Sequence, residues 1–143
     1  MLIREITSAS ELDPAMVSEW LSQLTGKALQ TSFEELDRIA ESQNSHLFIL
    51  EDEGDVPCGM VTVSFCYVLS YGISAWVDDV FVTPESRGKH FGSALIDYAI
   101  EYARKEGASI INLTSSPFRT SAISMYTGKG FEKRNSNIYR KKL

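Results

Sequence analysis

The chain of 143 residues has only two cysteines, two histidines and four prolines. Cys58 and Cys66 stand eight residues apart on a segment that reads as one strand. Such a pair is badly spaced for zinc, and two histidines cannot complete a ligand set. No metal is expected, and both thiols read as reduced packing residues. A basic surplus is also missing: 14 Lys and Arg face 19 Asp and Glu, a net charge of −5. Nucleic-acid binding needs a basic face, so the balance argues against a nucleic-acid partner and would suit a cationic substrate. Neither a signal-peptide pattern nor an apolar run able to span a bilayer is present, so a cytoplasmic protein without a membrane partner is expected. Repeats, low-complexity stretches and linkers are absent too. Length and an apolar fraction of 43% suit a single domain, 1–143, with a real core.

What the sequence does have is one organising stretch, Val77 to Leu95. Val77, Val80, Phe81 and Val82 are strand formers, and Pro84 ends the ladder because it has no N–H to donate. Beyond it, Phe91, Ala94, Leu95, Tyr98, Ala99 and Tyr102 have the spacing of one helix face. Between strand and helix, Arg87, Gly88, Lys89, His90, Phe91, Gly92 and Ser93 put free N–H groups, cations and glycines at a helix N-terminus. First-turn donors are unpaired, the helix dipole is positive there, and glycine admits a close approach, so the stretch is suited to an anion. A plain tight turn accounts for the same residues. The pattern is neither the dinucleotide fingerprint nor a Walker loop.

It resembles the coenzyme A-binding motif of the GNAT superfamily N-acetyltransferases, Arg/Gln-x-x-Gly-x-Gly/Ala after a Val-rich strand. Arg87, Gly88, Lys89, Phe91 and Gly92 carry the resemblance. His90 stands where that motif usually has its middle glycine, and is expected to take an ordinary helical φ with its ring pointing outward.

Read in order, Leu2–Ile6 is an opening strand, and Ser8 or Ser10 caps a helix through Met16, Val17, Trp20, Leu21 and Leu24 that Gly26 stops. Ser32 and Glu35 form a capping box for a second helix burying Leu36, Ile39 and Ala40. Strands follow at 46–51 and 56–68, paired as a hairpin in which Gly59 marks a bulge, a close backbone approach or a gap between side chains. A strand over 75–82, the long helix closed by Gly107, a buried strand at 109–113, a helix at 119–129 and a last strand holding Tyr139 complete the chain. In that helix Ala122, Ile123 and either Met125 or Tyr126 are expected to be buried. The order predicts an α/β fold with a mixed sheet, antiparallel in its N-terminal part and with crossover helices in its C-terminal part, flanked by helices on both faces. The same order matches the GNAT fold.

A second constellation, Ala122 to Phe131, looks like that family's Ala-x-x-x-Tyr-x-x-x-Gly-Phe segment. Alone, a helical tyrosine before Gly-Phe reads as core packing. With the Arg87–Gly92 loop at the expected separation, Tyr126 reads as the donor to a departing thiolate, as general acid or hydrogen-bond donor. Arg119 stands seven residues before it, where many relatives carry Asn, and a contact to the cofactor's phosphates is the expectation. Asp78 and Asp79 lie on the cofactor strand and point to opposite faces by alternation. One can thus reach the acceptor pocket as general base, the resemblance slightly favouring Asp78; backbone capping or pairing with surface cations explains either one singly. His46 and His90 read as structural or solvent-facing, and Trp20, Trp76 and Tyr71 as core or pocket wall.

The resemblance implies acetyl-CoA as co-substrate, held through backbone groups of Val80, Phe81 and Val82 and through Arg87 to Ser93. It implies transfer of acetyl to a primary amine, in a small molecule or peptide, by direct attack in a ternary complex. A non-catalytic acyl-CoA sensor or regulatory module is the alternative, and self-association as a homodimer is left open.

Overall fold

Leu47, Phe48, Ile49 and Leu50 form an unbroken apolar run because the strand they build is covered on both faces. Phe48 and Leu50 enter one core with Val61, Val63, Ala75, Val77, Leu95, Ile96 and Ala99. Leu47 and Ile49 enter another with Ile6, Val17, Trp20, Leu36, Met60 and Phe81. The computed structural model describes residues 1–143. Its sheet comprises β1 (Leu2–Glu5), β2 (Ser45–Glu51), β3 (Pro57–Val68), β4 (Gly72–Val82) and β5 (Ile110–Leu113). The strands lie in the order β1-β2-β3-β4-β5. The first four pair antiparallel, and β5 joins β4 in parallel. Helices α1 (Pro14–Thr25) and α2 (Phe33–Ala40) cover one face; α3 (Phe91–Lys105) and α4 (Thr120–Gly128) belong to the other.

Two details of the sheet position everything that follows. Met60 pairs with Phe81 and Thr62 with Asp78, so Val61 stands against two residues, Asp79 and Val80. This is a β-bulge, and it shifts the alternation of β4 by one. Ala75 and Val77 face α3, whereas Phe81 faces α1 and lies 5.6 Å, ring to ring, from Trp20. The second detail is that β4 and β5 pair only as far as Val77 and Leu113. Thr114, Ser115, Ser116 and Pro117 then leave the sheet, so β4 from Asp78 onward has an open edge.

Several expectations are corrected. Ser8 caps a short 3-10 turn, Ala9–Glu11, and α1 is instead capped by Asp13, whose Oδ1 accepts from Ala15 N at 2.9 Å. Pro14 is preorganised for the first helical position, which fixes the start there. Gly59 is a close approach, where a Cβ would lie 2.9 Å from the Phe81 carbonyl oxygen, and it adjoins a register shift opposite Leu50 and Glu51. Cys58 is buried as expected, but Cys66 is exposed beyond the cover of the helices. Trp76 and Tyr71, read as core or wall, are both exposed. β5 is a half-buried edge strand rather than a buried one, and Ile123 of α4 is exposed. The last strand does not form: residues 132–143 carry no regular structure, and Ile138 and Tyr139 are 72% and 87% exposed. Two apolar residues among so many polar and charged ones bury too little surface to offset the ordering of a strand.

Candidate active site

The bulge makes the centre of the site. Asp79 adopts a left-handed conformation with φ 52°, a region Asp tolerates better than most residues. Asp78 and Asp79 therefore do not point to opposite faces, because the extra residue breaks the two-residue period on which that expectation rests. Both line one cleft with Leu24, Val77, Val80, Leu113, Thr114, Ser115, Ser116, Arg119 and Tyr126, of about 230 Å³. Thr62, on the α1 side of β3, donates from Oγ1 to Asp79 Oδ2 at 3.1 Å. Burial pushes the Asp79 carboxyl above the usual carboxylate range, and the neighbouring Asp78 charge adds to this; the Thr62 hydrogen bond opposes both.

Tyr126 reaches the cleft from α4. Its ring meets Phe131 edge to face at 5.9 Å, and its carbonyl accepts from Phe131 N at 3.1 Å. Gly130, with φ 88°, makes the turn between them, where a side chain would be strained. Lys129 Nζ and Asp97 Oδ1, 2.5 Å apart, tie the end of α4 to α3. Burial raises the phenol's pKa and the Arg119 charge only partly offsets it, so Tyr126 stays protonated at neutral pH, as a donor must. Arg119 enters from the start of α4, and its Nη2 donates to the Leu24 carbonyl at the end of α1 at 2.8 Å. The structure thus places Arg119 among Asp78, Asp79 and Tyr126 rather than at the Gly88–Ser93 turn.

That turn begins past the end of β4. Arg87 Nε donates to the Val82 carbonyl at 3.3 Å, and Gly88 has φ 79°. His90 corrects the expectation of a helical φ. It takes φ 61° at the N-cap of α3, with no side-chain capping bond and its side chain exposed. The position is therefore one glycine occupies without penalty, while His is among the side chains that tolerate it. No backbone N–H from Gly88 to Ser93 donates to a protein acceptor. Gly92 has an ordinary φ, and a Cβ there would touch only Val82 Cγ2, at 3.9 Å. The fold itself therefore has no need of glycine at 92. A cradle of unpaired amides kept bare on its outer side fits a phosphate or pyrophosphate. Lys89 Nζ stands 5.9 Å from the centre of the Phe91 ring.

Val82, Arg87 and the turn through Ser93 thus gather at one end of the site, and Asp78, Asp79, Val80, Arg119 and Tyr126 at the other. Phe81 contributes only backbone, its side chain being buried against Trp20. Leu24 and Ser115 were not expected in the cleft, nor Thr62 as the hydrogen-bond partner of Asp79. The adjacent carboxylates inside an apolar strand were the available signal, since a bulge is what lets both stay on an open side. No group of three or more His, Cys, Asp or Glu is gathered as for a metal, and no helix is long and apolar enough to cross a membrane.

A mixed sheet whose one parallel pair ends at Val77 and Leu113, beside a free helix start, is the architecture expected for the GNAT fold. The chain belongs to the acetyltransferase (GNAT) family, whose family model matches residues 14–131. It is similar to the uncharacterized N-acetyltransferase YhdJ of Bacillus subtilis, 28% identical over 97% of this chain and 96% of that one. It is also similar to the uncharacterized N-acetyltransferase MJ1207 of Methanocaldococcus jannaschii, 42% identical over 60 residues. That match takes in 42% of this chain and 26% of the relative, so the chain spans only about a quarter of that protein. A crystal structure described as a transcriptional regulator from Bacillus halodurans superposes with a TM-score of 0.85, at 26% identity, over 98% of each chain.

Proposed function

We propose that the protein transfers an acetyl group from acetyl-CoA to a primary amine by direct attack, with Asp79 as the base and Tyr126 as the donor to the leaving sulfur. The observation that carries this is the meeting of a carboxylate with raised pKa and a protonated phenol in one cleft of an acyl-transfer fold. Val82 lies three residues past Asp79, about 10 Å along a strand. The reacting end and the phosphate end are therefore separated by a stretch of open β4 edge, along which an extended amide-bearing arm pairs as an added strand.

Acetyl-CoA supplies the activated acyl group as a thioester. Backbone N–H groups from Gly88 to Ser93, helped by Arg87 and Lys89, hold its pyrophosphate, and Val80 to Val82 offer main-chain groups to its pantetheine. Asp79 takes the proton of the acceptor ammonium, directly or through water; its raised pKa brings it closer to that of the amine. Attack of the amine nitrogen on the acyl carbon forms the amide, and the carbon–sulfur bond breaks with its electron pair on sulfur. The second proton lost by the nitrogen passes to that sulfur, through water or by way of Tyr126. Tyr126 donates a hydrogen bond or its proton there. Asp78, beside Asp79, lines the same cleft and adds a second carboxyl group near the arriving amine.

The test is release of free thiol from acetyl-CoA with a panel of amines, for the natural protein and for Asp79→Asn. Amine-dependent release, reduced in the variant, is expected. A second reading, an acyl-CoA-responsive regulatory module, is favoured by the likeness to the Bacillus halodurans protein described as a transcriptional regulator. Tight coenzyme A binding with no thiol release on any amine would select it.

A further inference from the structure

Asp78, Asp79 and Arg119 line the same cleft, yet none of them forms an ion pair. Opposite charges in so small a space ordinarily close on each other. Here each side is held by something else: Asp79 by its left-handed backbone and Thr62, Arg119 by the Leu24 carbonyl. Only one of the guanidinium's side-chain N–H groups is used in that bond, and the rest have no protein acceptor. The cleft thus presents a positive and a negative pole kept apart by the fold.

Resting on the acetyl-transfer reading, we propose that the acceptor is a small amino acid-like zwitterion. Its amine is received at Asp78 and Asp79, and its carboxylate by Arg119. Three properties favour a carboxylate over other anchors. The guanidinium fork matches its planar geometry with paired hydrogen bonds. Both poles line one cleft of about 230 Å³, which suits a short acceptor with its two charged ends few bonds apart. The two aspartates in the cleft disfavour an acceptor with several negative charges there. Arg119 is tied to α1, so recognition of the carboxylate also fixes the wall formed by Leu24.

The experiment compares glycine, β-alanine, 4-aminobutanoate and 5-aminopentanoate with the amines that lack their carboxylates, and with 2-aminoethylphosphonate. Turnover of acetyl-CoA and calorimetric binding to the coenzyme A-saturated protein are both measured. At least one carboxylated amine should exceed its decarboxylated counterpart by about tenfold or more in kcat/KM, and exceed the phosphonate. In Arg119→Met that ratio should fall to near one, and Arg119→Lys, which keeps the charge but not the fork, should lie between. If Arg119 only latches Leu24, both acceptors lose equally and the ratio stands, which overturns the proposal. If Arg119 serves the cofactor, the affinity for acetyl-CoA falls instead, which also overturns it. Absence of turnover on every amine would sink the transferase reading alone. Zwitterion binding lost in Arg119→Met would still uphold this one, and its absence in the natural protein would refute it.

Discussion

The two ends of the site lie on one strand and are built from different materials. Past the C-terminal end of β4, the Gly88–Ser93 turn presents main-chain N–H groups, which any sequence able to take that path supplies. At the bulge, the cleft presents particular side chains whose placement depends on one extra residue in the ladder. Backbone sites tolerate substitution that keeps the path, and His90 in a position suited to glycine is an instance. Side-chain sites tolerate almost none. Mutations at the cleft should therefore strike the chemical step, and mutations at the turn should strike binding.

The sharpest test is Asp79→Asn. Asn also accepts a left-handed φ, so the backbone should hold while basicity is lost, with kcat down roughly 10²–10⁴-fold. The defect should shrink as pH rises and the amine deprotonates in solution. Stability should move the other way. A carboxyl whose pKa is raised by folding binds more protons folded than unfolded, so stability falls as pH climbs from the ordinary Asp value through the raised one. The variant escapes that loss, and its Tm at neutral pH should equal or exceed that of the natural protein. A large drop in Tm would mean that Asp79 is structural.

Tyr126→Phe comes next. It removes one oxygen and leaves the Phe131 contact, so acetyl-CoA affinity should be nearly kept while the barrier rises by about 2–4 kcal/mol. Equal kcat, where chemistry limits the rate, would make Tyr126 a packing residue. At the other end, Gly92→Val should weaken coenzyme A binding about tenfold or more in a folded protein, because space exists inside the fold and the added bulk faces outward. Calorimetry decides; unchanged affinity would separate the turn from the site. Thr62→Val deletes a hydrogen bond to the Asp79 carboxylate, so the acid limb of the rate profile should shift to higher pH by less than about one unit. The smallest effect belongs to His90→Gly. It should leave coenzyme A affinity unchanged or slightly better and stabilise by about 1 kcal/mol or less, since a strained left-handed side chain is balanced against the entropy glycine adds to the unfolded chain.

This division also explains what was legible before the structure. The apolar run at Leu47–Leu50, the capping box at Ser32 and Glu35, and the glycines at 26 and 107 are local signals, and each has its expected place. The Arg87–Ser93 turn was readable as a helix start for the same reason: its glycines and cations sit in consecutive residues. Asp78 and Asp79 were readable as candidates, but their common orientation was not, because alternation presumes an unbroken ladder and the bulge is set by pairing with β3. Thr62 and Leu24 come from distant segments, and nothing near them in sequence marks them. The missing last strand shows the opposite failure, in which local β-formers at Ile138 and Tyr139 had no apolar neighbours to bury them.

The left-handed backbone at position 79 has a consequence for descent. Glycine, asparagine, aspartate and histidine occupy such a conformation more readily than other residues, so the alphabet open to this place is short. Within it aspartate is a base, asparagine its neutral isostere, and glycine has no side chain. An active transferase and a silent binder of the same coenzyme would then differ by an oxygen exchanged for an NH₂, with sheet, bulge and turn preserved. On the role proposed for Asp79, a lineage of this fold would cross between catalysis and sensing in one substitution, with the left-handed turn of the backbone kept.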